Sequence, residues 1–148
     1  MSAELYLNDF RPGQEFLSPT HTLSLEEAVS FAKQYDPQYY HIDVEAAKKG
    51  PYGRLIASGW QTAAITMKLK AATELANVAG GLLGLGLESV KWPRPVYPGD
   101  TLRVVLTVLD VRRSNSKPTH GVVKYSMDTY NQHDEKVMEA VTAVWVPC

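Results

Sequence analysis

Along the first half of the chain the apolar positions recur at helical spacing, and along the second half they alternate. In SLEEAVSFAKQYDP, Leu25, Ala28, Val29, Ala32 and Tyr35 form a stripe, and Ser24 with Glu27 three residues later makes a capping box. Pro37 disfavours helical geometry at Asp36, so that helix ends there and leaves Asp36 at its exit. DVEAAKKGP predicts a second, short helix. Asp43 caps it, Lys48 and Lys49 suit the negative end of its dipole, and Gly50-Pro51 stops it. His41 falls in the connection between the two. A third helix is expected over Gly59 to Leu75, charged only at Lys68, Lys70 and Glu74. Its opening, GWQTAAITM, is uncharged and rich in small residues, which predicts a helix enclosed by other structure.

Residues 1–15 read as a lead-in, and Glu15 to Leu23 as a first strand. LGLESVKWPRPVYPGD predicts a strand ending in a Pro-Gly turn, and TLRVVLTVLDVRRS is a long β-branched run. GVVKYSMDTYN puts Val123, Tyr125, Met127 and Thr129 on one face and Lys124, Ser126 and Asp128 on the other. KVMEAVTAVWV closes the chain, and the polar stretches SNSKPTHG and NQHDEK fit hairpin connections. Helical segments followed by a meander of long strands indicate an α+β fold, its antiparallel sheet curled around the uncharged helix. With no repeat or low-complexity tract, residues 1–148 are expected to form a single domain.

Composition narrows the functions open to such a fold. The chain has 148 residues, enough to bury roughly 68–70% of its unfolded surface. Its 45% hydrophobic and 21% charged residues are ordinary for a globular protein. A net charge of −1 supplies no field toward nucleic acid or an anionic membrane. The single cysteine, Cys148, excludes an internal disulfide and a cysteine-built metal site and suits a reducing compartment. MSAELYLNDFRPGQEF lacks the basic and apolar regions of a signal peptide. The charge-free run Leu55 to Met67 is shorter than the ~18 residues of a membrane helix. A cytoplasmic protein is expected. His21, His120 and His133 lack metal-like spacing, and no metal site is expected.

Two short segments carry candidate chemistry. Asp36 and His41 lie five positions apart, and a carboxylate beside an imidazole can share the work of moving a proton on and off a water. The same two residues also read as a turn aspartate and a hydrogen-bonded loop histidine. Ser58-Gly59 opens the third helix, where free N–H groups and the dipole favour negative charge and a glycine admits a carbonyl oxygen to the backbone. Ser58 equally reads as a plain helix cap. Arg112, Arg113 and Lys117 are candidates for meeting phosphates or for a solvated rim. Trp92 and Trp145 read as packing residues, and Glu74 and Glu88 as surface charges.

Order and spacing add a resemblance. A helix, Asp-x-x-x-x-His, a short helix and then Ile-Ala-Ser-Gly opening an uncharged helix resembles the MaoC-like dehydratases, which include the R-specific enoyl-CoA hydratases. The match runs from about Ser24 to Met67, and VYPGDTL in the strand-rich remainder also looks like that family. The resemblance implies a hotdog fold, with helix Gly59–Leu75 at its centre, assembled as a homodimer or larger. It implies that Asp36 and His41 handle water and proton, that the Gly59 N–H takes the thioester oxygen and that Ser58 makes a secondary contact. Trp60 stands close enough to Gly59 to line an acyl pocket. The implied reaction is reversible addition of water to a trans-2-enoyl thioester of CoA or of an acyl-carrier protein, giving an R-3-hydroxyacyl product without metal or redox cofactor. The chain departs from the family where Asn-Pro gives way to Gln38 and Tyr39 and where Tyr35 replaces a frequent glycine. Gln38 is expected to supply the missing amide with a longer reach. A hotdog thioesterase and a non-catalytic acyl-binding subunit are the rival readings.

Overall fold

In the computed structural model, which describes residues 3–148, all five predicted strands are present, but the expected meander is confined to the last three, because the strand that follows the helices crosses to the far edge and pairs with the C-terminal strand. β1 (Glu15–Thr22) precedes α1 (Leu25–Tyr35), α2 (Tyr39–Ile42), α3 (Val44–Lys48) and α4 (Gly59–Lys70). There follow β2 (Leu83–Lys91), β3 (Thr101–Arg113), β4 (His120–Tyr130) and β5 (Lys136–Pro147). The strands pair antiparallel in the order β1-β3-β4-β5-β2. Alternation sets the inner face. Val104, Leu106 and Val108 of β3 lie opposite Thr129, Met127 and Tyr125 of β4, and all six are buried. A register shift between Val108 and Asp110 bends β3, which adds to the curl of the sheet. Pro19 sits in edge strand β1 at a second shift, between Leu17 and Thr20. There the Ser18 hydroxyl accepts the Val104 N–H at 2.8 Å in place of a ladder partner. The concave face holds α4, giving the hotdog arrangement.

The helices differ from the sequence pattern in instructive ways. Ser24 caps α1 by accepting the Glu27 N–H, but the Glu27 carboxylate turns to His21 at 2.8 Å, so only half of the capping box forms. His41 lies on a one-turn helix, α2, rather than in an open connection. α4 ends at Lys70, short of Leu75, because the Thr73 hydroxyl donates to Lys70 O and accepts from Leu75 N–H. Thr73 thereby starts a separate 3-10 turn, Glu74–Asn77. Nor is α4 enclosed on every side. Trp60, Ala64 and Met67 form an exposed apolar row, and Leu83, Leu85 and Leu87 of edge strand β2 are more than half exposed. Among the described residues no helix is long and apolar enough to cross a membrane.

The buried side of α4 is unusually polar. Ser58, Thr62, Thr66 and Lys70 recur every fourth residue and are all buried. Thr66 donates to Thr62 O, and its oxygen meets the Thr129 hydroxyl at 2.6 Å. Lys70 donates to the Tyr125 hydroxyl at 2.9 Å, 55 residues away in sequence. Burial pushes the Lys70 ammonium below its ordinary pKa and the Tyr125 phenol above its own.

The unfolded chain therefore binds the Lys70 proton more tightly than the folded one. Stability rises with pH between the two lysine values, and the whole penalty of the buried charge is present below the lower one. Lys70→Met with Tyr125→Phe removes both polar partners and leaves neither unsatisfied. The double variant is expected to gain on the order of 1 kcal/mol at pH 7 in urea unfolding. That gain should shrink as pH approaches the ordinary lysine value. A gain that stays constant from pH 7 to 10 would mean that Lys70 carries no charge penalty in the fold.

Candidate active site

Three chain segments converge beside the start of α4. The exit of α1 presents Asp36, whose N–H still closes the helix onto Ala32 O at 2.8 Å. α2 presents His41, 5% exposed. The segment leading into α4 carries Ile56, Ala57 and Ser58, and is fixed by Ile56 N–H to Tyr40 O and Ala57 N–H to Val96 O. Ser58 is fully buried and serves two groups. Its oxygen accepts the Trp60 N–H as the cap of α4, and its hydroxyl donates to Asp36 Oδ2 at 2.7 Å. The cap reading of Ser58 holds, and the same hydroxyl also reaches Asp36.

The hydrogen bonds around His41 decide what the pair can do. His41 Nδ1 lies 2.7 Å from Ile56 O, and a carbonyl only accepts, so Nδ1 carries the proton. In the neutral ring Nε2 is then a lone pair, 3.3 Å from Asp36 Oδ2. Two acceptors facing one point are satisfied by a shared hydrogen-bond donor, and a water can donate to both. Burial pushes the Asp36 carboxyl up, but hydrogen bonds from Ser58 and Gln38 and the nearby His41 outweigh it, and the group titrates below its ordinary value. Gln38 Nε2 reaches Asp36 Oδ1 at 2.6 Å, so the longer amide does span the gap expected from the sequence.

These groups open onto a cavity of about 410 Å³. Its walls include Tyr40, Tyr52, Trp60, Trp92 and Val96, with Asp36, His41 and Gly59 on one side. Among the described residues the Gly59 N–H has no acceptor. Tyr39 and Tyr40 part company. Tyr40 lines the cavity, whereas Tyr39 packs over Gly50, where an added Cβ would lie 2.8 Å from its hydroxyl. Arg112, Arg113, Lys117, Glu74 and Glu88 do not line the cavity. The arginine on its wall is Arg94, held by Glu135 at 3.1 Å.

Trp92 is the main omission of the sequence reading. Its indole N–H donates to Gly59 O at 2.9 Å, its ring meets Trp60 edge-on at 5.3 Å, and it covers the flank of Gly59. A Cβ on Gly59 would stand 2.9 Å from the Trp92 ring. The two residues are 33 apart in sequence, and no local pattern connects them.

Comparison with known proteins agrees with this fold. Residues 8–131 match the family model of the MaoC like domain. The fold superposes on a MaoC-like dehydratase from Rhodospirillum rubrum with a TM-score of 0.91 and 40% identity, covering 97% of each chain. The uncharacterized protein YdeM of Bacillus subtilis is 34% identical over 141 residues, 95% of this chain and 97% of its own. The 3-hydroxyacyl-thioester dehydratase Z of Mycobacterium tuberculosis is 34% identical over 110 residues, 72% of each chain.

Gly59→Ala is expected to lower stability by about 1–3 kcal/mol, the usual cost of overpacking. In a Trp92→Ala background the same change should be neutral or slightly favourable, because alanine is the better helix residue. Urea unfolding of the four proteins closes the cycle. Equal losses in both backgrounds would remove Trp92 as the reason for glycine at this position.

Proposed function

This chain belongs to the MaoC-like domain family, and on that premise we propose that it adds water reversibly to a trans-2-enoyl thioester, forming an R-3-hydroxyacyl thioester. The observation that carries the reading is the shared seat between Asp36 Oδ2 and His41 Nε2, beside the unpartnered N–H of Gly59. Water held in that seat donates one hydrogen to each acceptor. As its oxygen bonds to C3 of the acyl chain, His41 Nε2 takes a proton, and the imidazolium is stabilised by the Asp36 carboxylate. Electron density moves from the C2–C3 double bond to the thioester oxygen. The Gly59 N–H and the positive end of α4 stabilise that oxygen, and one such donor is typically worth ~2.7–4 kcal/mol. Returning the proton to C2 completes the addition and restores both side chains. Trp60, Trp92 and Tyr40 exclude bulk water from the enolate and shape the space for the acyl group.

The substrate is an acyl thioester of CoA or of an acyl-carrier protein. The working form is a homodimer or larger, because β2 offers unpaired peptide groups and Leu83, Leu85 and Leu87 to solvent, next to no covering element.

The test is loss of enoyl-thioester absorbance when the protein meets crotonyl-CoA and a longer trans-2-enoyl-CoA. Asp36→Asn and His41→Ala are each expected to lose on the order of 10²–10⁴ in rate. Losses below tenfold in both, with folding intact, would overturn the roles. Free thiol released from a saturated acyl-CoA would instead establish the thioesterase, and acyl-CoA binding without turnover the non-catalytic subunit.

A further inference from the structure

The loop that bears Asp36 has exchanged its compact amide for a longer one, and a longer side chain needs a second anchor to hold its donor in place. Gln38 is exposed, with more rotatable bonds than asparagine, and holding it still costs side-chain entropy. The structure supplies the anchor. Asp36 Oδ1 only accepts, so the end of Gln38 that faces it is the NH₂, and Gln38 Oε1 is turned to the Tyr40 hydroxyl. That oxygen also only accepts, so the phenol donates. The direction of the whole chain is thereby fixed from Tyr40 O–H to Gln38 C=O, and from Gln38 N–H to Asp36. Tyr40 is itself held: its ring meets His41 edge-on at 4.5 Å and Tyr52 edge-on at 5.2 Å. Its backbone oxygen accepts the Ile56 N–H at 3.1 Å.

We propose that Tyr40 is a positioning residue, whose phenol locks Gln38 so that the Gln38 amide holds Asp36 aimed at the water seat. Tyr40 touches the acid–base pair on both sides, through Gln38 to Asp36 and through its ring to His41. The groups facing the Asp36 carboxylate are Gln38, Tyr40 and His41 from α2 and its cap, and Ser58 from the cap of α4. Tyr52 and Arg94 lie on the same cavity wall. Burial first, and then the neighbouring acidic groups Tyr52, Asp36 and Tyr39, push the Tyr40 phenol above its ordinary value, so it stays a donor across the neutral range. Polarisation along the chain strengthens the Gln38 donation, and a hydrogen bond to the charged form favours an ionised Asp36.

The proposal rests on the hydration reading for its catalytic meaning, but its test does not require turnover. NMR titration of the Asp36 carboxyl carbon reads the relay directly. Gln38→Leu should raise the Asp36 midpoint by about one unit, as expected for losing one hydrogen bond to a charged group. Tyr40→Phe should raise it in the same direction by less, and the double variant should go no further than Gln38→Leu alone. Tyr39→Phe, altered on the ring that packs over Gly50, should leave it unchanged. Where hydration is measurable, Tyr40→Phe should lower kcat several-fold with KM little altered, and its acid limb should shift upward with the NMR midpoint. An Asp36 midpoint in Tyr40→Phe equal to wild type, or additive shifts in the double variant, would overturn the relay. Absent turnover with an intact NMR response would overturn the hydration reading alone.

Discussion

The hydrogen bond from Ser58 to Asp36 is the joint on which the site depends. A single hydroxyl caps the central helix with its oxygen and donates its proton to the carboxylate at the exit of α1. The two elements differ in how they are held. α4 is fixed by the concave sheet through Ile65, Leu69 and the threonine row, whereas the α1 exit is a turn shaped by Pro37. The joint transfers the rigidity of the first to the second. It also places a negative charge beside the positive end of a helix, which favours the ionised carboxylate at the point where the proposed chemistry requires it.

The polar row on α4 follows from the same arrangement. A helix that begins with a cap facing a carboxylate must turn that face inward, and the positions four and eight residues later share the face. Thr66 satisfies it with a hydroxyl that donates to the Thr62 backbone oxygen and meets the Thr129 hydroxyl, at little cost. Lys70 takes the next position and reaches only the Tyr125 phenol. The helix thus carries a polar row on its buried side beside Ile65 and Leu69, and an apolar row among its exposed positions. Beyond Trp60, which also lines the cavity, the exposed row continues in Ala64 and Met67, and in an assembly it is surface to be covered.

What could be read in the sequence follows a physical boundary. Alternation named Val123, Tyr125, Met127 and Thr129 on the inner face of β4, because a strand's faces are set by residues two apart. Asp36 and His41 were legible because five residues of chain hold them, and Ser58-Gly59 because helix starts have local chemistry. The half-formed capping box shows the limit. The Ser24–Glu27 spacing was right, yet His21, brought in by β1, competed successfully for the carboxylate. α4 ended early because Thr73 offered its hydroxyl to Lys70 O, a competition that propensity does not encode. Trp92 over Gly59 and Lys70 on Tyr125 are products of topology, joining residues 33 and 55 apart. The sequence presents each as an ordinary aromatic or an ordinary lysine.

The departure at Gln38 and Tyr39 shows which feature of the loop is constrained. The free acceptor is Asp36 Oδ1, which Gln38 fills, since Oδ2 already accepts from Ser58 and faces His41 Nε2. A short amide has few torsions to fix. A longer one has to be placed, and a phenol two residues on can place it without altering the backbone that sets the Asp–His spacing. Tyr39, freed from any part in the turn, then packs over Gly50 and ties α2 to the end of α3. In this loop a longer residue places the donor at Asp36 Oδ1.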